Sequence, residues 1–88
     1  MEDPESRIIC LGELPIGVRA RIAQIRGGRQ LTRRLLSLGL RLGTRITVMH
    51  HRGRGVVVST GDTRVALGGG IAEKLWVEPL SPPVEHDV

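Results

Sequence analysis

Hydrophobic positions along the chain fall in short runs separated by glycine. Over 18–25 (VRARIAQI), Val18, Ala20 and Ile22 alternate with Arg19 and Arg21, which is the period of a strand with one buried face. Similar short apolar runs predict strands over 44–51 with Ile46 and Val48 inward, and over 55–60 with Val56 and Val58 inward. Two more are predicted over 63–67 and over 75–79, the last with Leu75 and Val77 on one face. Turns fall at Leu11-Gly12-Glu13-Leu14-Pro15, Gly27-Gly28, Arg52-Gly53-Arg54-Gly55 and Gly61-Asp62. Ile8 to Leu11 is a short apolar run ahead of the first turn.

One segment departs from period two. Across 29–38 (RQLTRRLLSL), Leu31, Leu35 and Leu38 stand at i, i+4 and i+7 and share a helical face, while Arg33 and Ser37 point the other way. Gly39 is placed to close the helix in the left-handed conformation, with Leu40 packing back on the last turn. Gly68-Gly69-Gly70 leads into a short helical turn at about 70–74, and is read as a flexible turn permitting positive φ. About five short strands without βαβ alternation, plus one inserted helix, define a mainly β fold: a small barrel, closed or nearly so. Closure removes the free sheet edges that invite aggregation. The chain of 88 residues makes one domain over 7–80, with disordered polar tails expected at 1–6 and 81–88.

Composition sharpens this picture. Trp76 is the only aromatic residue, so the core must be aliphatic. A single cysteine excludes an internal disulfide. The acidic start MEDPESR has no apolar stretch of a secretory signal, and no apolar run approaches the ~20 residues of a membrane span, so a cytoplasmic location is expected. The net charge of +4 understates the body of the protein. Glu2, Asp3, Glu5, Glu85 and Asp87 lie in the tails. Between Ser6 and Ser81, 13 basic residues face only Glu13, Asp62, Glu73 and Glu78, a balance of +9. Such an arginine-rich body suits an acidic protein face, an anionic membrane or a phosphate backbone. The plain alternative is a solvated surface in an arginine-biased proteome.

The words in this pattern, taken in order, resemble the FeoA family of ferrous iron transport accessory proteins. Arg34-Leu35-Leu36-Ser37-Leu38-Gly39-Leu40 is similar to the family's helix end, Gly43 to its turn glycine, and Ala66-Leu67 with Ala72, Leu75 and Val77 to its C-terminal part. The resemblance spans about residues 11 to 80. Leu42 stands where the family usually has proline, which loosens the turn, and Gly68 where it often has a charged residue. The resemblance implies an SH3-like barrel without catalytic activity or cofactor. It implies a bacterial protein that docks on the cytosolic part of a ferrous iron permease, whose cytosolic part binds guanine nucleotide (GTP), and modulates it at the inner face of the membrane. The same barrel resembles the C-terminal domain of iron-dependent repressors, although the chain leaves no room for their helix-turn-helix.

Candidate chemistry adds little of another kind. No Ser, His or Asp set suggests a nucleophile with an oriented base, and no enzyme is expected. Gly68-Gly69-Gly70 lacks the Gly-Lys-Ser/Thr of a phosphate-cradling loop. For a metal, Cys10 and His50 are the weak candidates, with Glu13 as a third; adjacent His50 and His51 point to opposite faces of a strand and do not chelate together. Cys10, between apolar neighbours, reads as a small core residue. The runner-up function is a small basic RNA- or ribosome-binding barrel, against which stands the single stacking platform, Trp76. The favoured site is a partner surface of Arg33, Arg34, Leu36, Leu40, Arg41, Leu42 and Trp76, an apolar patch with an arginine rim. Contact with anionic membrane and self-association are left open.

Overall fold

Alternation of aliphatic and polar residues decides the sheet. In the computed structural model, which describes residues 7–80, six strands form one antiparallel sheet. They are β1 (Ile9–Cys10), β2 (Arg19–Ile25), β3 (Arg45–Arg52), β4 (Gly55–Thr60), β5 (Thr63–Leu67) and β6 (Leu75–Pro79), in the order β1-β6-β2-β3-β4-β5. A 3-10 turn, Leu11–Glu13, follows β1. Helix α1 (Arg29–Ser37) follows β2, and α2 (Gly69–Ala72) follows β5. The mainly β, SH3-like architecture is therefore as expected. The sixth strand is the two-residue β1, too short to show a period. The expected tails lie outside the described residues.

The inward side chains meet in register: Ala20 against Ile46, Ile22 against Val77, Val48 against Val58 and Val58 against Val65, and Val56 against Leu67. Such cross-strand pairs on one face are the unit of sheet stability. With Leu11, Leu14, Leu35, Leu40, Ala72 and Leu75 they make one core, and no polar side chain is buried in it among the described residues. Each Leu, Val or Ile so buried contributes roughly 1.5–3 kcal/mol relative to exposure.

The sheet is not closed, since β1 and β5 are its two edges. Helical turns fill the gap instead: α2 packs on β4 and on the 3-10 turn, which also touches β4 and β6. Cys10 sits at this joint, half-buried, with its Sγ 3.6 Å from the carbonyl oxygens of Ala72 and Glu73. It is thus a seam residue and not part of the core proper. The expectation of positive φ at Gly68-Gly69-Gly70 fails, because none of the three adopts it. Space is the requirement there: a Cβ on Gly69 would lie 2.5 Å from the Cβ of Arg54.

Two bulges interrupt the ladders. Ala23 is an extra residue in β2 opposite β6, and Met49 is an extra residue in β3 opposite β4. A bulge bends its strand and re-aims the side chains beyond it. Beyond Met49, His51 reaches Leu14, where its Nε2–H donates to the carbonyl oxygen at 2.8 Å and ties the end of β3 to the segment leading into β2.

Candidate functional site

The site grows from the way α1 ends. Leu40 N–H donates to the Leu35 carbonyl at 2.8 Å and Gly39 N–H to the Leu36 carbonyl at 2.9 Å, with Gly39 at φ +84°. This pair of bonds is a Schellman motif, which brings the residue after the glycine back onto the helix. Leu40 accordingly packs against Leu35, and both are fully buried. The expectation that Leu40 contributes to an exposed patch is corrected by this cap. So is the Leu31/Leu35/Leu38 stripe: Leu35 is buried and Leu31 partly so, but Leu38 is 38% exposed, because the chain reverses at Gly39 before the sheet covers it.

The next four residues, Arg41 to Thr44, form a turn closed by Thr44 N–H donating to the Arg41 carbonyl at 3.0 Å. Gly43 at φ +90° occupies its third position, as a type II turn demands. Leu42, at the second position, projects outward and is 60% exposed. Gly43 N–H donates to the Ile22 carbonyl at 2.8 Å, which pins the turn to β2. Beyond that point β2 has lost its neighbour on this side, since β3 pairs with it only over Arg19–Arg21.

A groove of about 610 Å³ therefore opens between the last third of β2, the outer flank of α1 and the type II turn. Its lining combines Ala23, Ile25, Leu36 and Leu42 with Arg26 and Arg41. Of the expected partner surface, Leu36, Arg41 and Leu42 come together here. Arg33 and Arg34 are exposed on α1 but do not line the groove. Trp76 stands one strand away on β6, half-buried, with the Arg26 guanidinium stacked 4.0 Å over its ring. Arg26 Nε–H also donates to Gln24 Oε1 at 3.1 Å. Trp76 is thus a brace for a groove arginine. Arg26, Ala23 and Ile25 were missed because they meet the groove along the flank of β2 that β3 leaves unpaired, which a period-two reading does not show.

Electrostatics at the groove are one-sided. Between Glu13 and Asp62 the chain carries ten arginines and no carboxylate side chain. Among the described residues the one ion pair is Arg21 with Glu78, on neighbouring strands and away from the groove. The described residues gather no cluster of three His, Cys, Asp or Glu that would hold a metal, so Cys10, His50 and Glu13 do not meet as ligands. No described helix is long and apolar enough to cross a membrane.

An open six-stranded antiparallel sheet of SH3-like form, with one inserted helix and helical turns across its open side, defines the fold class. Within that class, the family model for the FeoA domain matches residues 9–79, and the chain belongs to the FeoA domain family. The chain is 32% identical over 57 residues to a putative Fe(2+) transport protein A of Methanocaldococcus jannaschii, a match covering 65% of this chain and 70% of that one. It superposes with a TM-score of 0.78, at 31% identity, on the crystal structure of an iron uptake regulatory protein (FeoA), covering 84% of this chain and all of the other. A manganese-dependent transcriptional repressor shares the fold at a TM-score of 0.76 and 26% identity, over 83% of this chain and 42% of the repressor.

Proposed function

We propose that this protein is a non-catalytic accessory component of ferrous iron uptake that docks on the cytosolic part of a membrane Fe(II) permease and biases its state. The observation that carries the reading is the groove beside α1: exposed Leu36 and Leu42 flanked by Arg26 and Arg41, on a stretch free of carboxylates. An apolar centre flanked by arginine fits the anatomy of protein interfaces, whose cores are apolar and in which arginine is enriched. Membership of the FeoA family and the ferrous iron transport named for its relatives point to a transporter as the partner. By linkage, docking modulates a permease only in so far as one of the permease's states binds more tightly than another. The arginine-rich body speeds encounter with an acidic cytosolic face and holds the domain near anionic lipid.

The test is capture from detergent-solubilised membranes of cells that express the permease, using the full chain as bait at low and at raised salt. Recovery of the permease by the native chain, and loss of recovery with Leu36→Ser, is the expected outcome. Recovery of RNA without permease would replace this reading with that of a nucleic-acid-binding barrel.

A further inference from the structure

We infer that the groove beside α1 receives an extended, acidic segment of a partner protein, with aliphatic side chains turned in and carboxylates turned out to Arg26 and Arg41. The inference rests on the docking role proposed above and names the chemistry of what docks. Three features of the groove argue for it.

The first is the free flank of β2. Gln24 and Ile25 are paired with β6, while the strand's β3 partner stops at Arg21. A strand with one flank unpaired is a template for a further extended segment. The four residues Ala23 to Arg26, the end of β2 and the residue after it, span about 10–13 Å, which sets the length of occupant that the groove grips. The second is the apolar lining of Ala23, Ile25, Leu36 and Leu42. An extended occupant places every second side chain on one face, so aliphatic residues at alternate positions fill this lining.

The third is charge. Arg26 stands at the β2 wall of the groove and Arg41 at the turn wall. Arg26 is held in place by Trp76 at 4.0 Å and by Gln24 Oε1 at 3.1 Å. Arg29 and Arg33 stand one turn apart on α1, outside the lining but next to its residues Thr32 and Leu36, and add to the positive field there. No carboxylate side chain lies anywhere in the segment that builds these walls. A basic occupant would meet only like charge, and a neutral one would leave the guanidinium groups without a counter-charge. A second copy of this chain would bring its own arginines.

The probe is a blocked heptapeptide of alternating leucine and glutamate, titrated into the full-length 15N-labelled protein at low salt. The expected result is saturable shift changes at residues 23–26, 32, 36 and 41–42 and at the Trp76 indole, weakening as salt is raised. The double variant Arg26→Glu/Arg41→Glu is expected to bind about tenfold more weakly, since it loses two exposed charge pairs of modest strength. Leu36→Ser, which keeps every arginine, is expected to weaken binding as well. No response at the groove overturns the inference, as does equal binding by the peptide with lysine in place of glutamate. A response to phosphatidylglycerol vesicles without one to the peptide assigns the face to lipid and also overturns it. The two readings fail separately. Undiminished capture of the permease by the double variant removes the groove and leaves the docking role. Peptide binding without permease capture removes the docking role and leaves the groove chemistry.

Discussion

Over Arg19–Ile22, β2 is enclosed: β3 and, at Ile22, the turn leading into it flank one side, β6 flanks the other, and Ala20 and Ile22 point into the core. From Ala23 onward it has β6 on one side and, on the other, a groove with α1 across it. The two regions are stabilised in different ways. The sheet is held by in-register aliphatic pairs on five strands. Helix α1 has nine residues, no side-chain cap at Gly28, and Arg29 instead of an acidic residue in its first turn. A helix so short is marginal in isolation, and a cation at its N-terminus opposes the helix dipole. What holds it is Leu35, partly Leu31, and the Gly39–Leu40 cap. The same scarcity of burial that makes the helix the weaker region leaves Leu36 and Leu42 available to a partner.

This contrast is breakable by mutation, and the sheet is the place where the largest effect is expected. Leu75→Ala removes a fully buried side chain facing Ile25 and is expected to cost about 3–4 kcal/mol, lowering the melting temperature by more than about 10 °C. Leu35→Ala is expected to cost about 2 kcal/mol and to act locally. Hydrogen exchange should show α1 amides opening while the amides of β3, β4 and β5 stay protected. Uniform loss of protection would place α1 in the same cooperative unit as the sheet. Gly39→Ala forces a side chain into φ +84° and is expected to cost about 1–2 kcal/mol in chemical denaturation, through loss of the cap. Leu38→Ala, at an exposed position, is expected to change stability by no more than about 0.5 kcal/mol. A larger loss there would restore Leu38 to the buried stripe.

Much of this was legible in the residues. Alternation located β2 to β6 to within a residue or so, and gave the inward rows Ile46/Val48, Val56/Val58 and Leu75/Val77. Gly39 after RLLSL announced both the helix end and its conformation. What escaped has a physical reason in each case. β1 is two residues long and has no period to read. Leu38 and Leu40 exchange roles because the chain reverses between them, and helical spacing says nothing about where the sheet ends. The groove depends on β3 stopping at Arg21, which is a property of pairing between distant segments. Leu36, Arg41 and Leu42 were within reach because each stands next to a helix end or turn with a sequence signature. Arg26 was not, since its position depends on a ring fifty residues away on β6.

The lone tryptophan has a practical consequence. With no tyrosine or phenylalanine in the chain, near-ultraviolet absorption and emission arise from the Trp76 indole, which lies beneath an arginine that forms part of the groove wall. The molecule carries its own optical reporter at the edge of the surface in question. A ligand that draws the Arg26 guanidinium away from the ring changes the signal from its only chromophore, without any label.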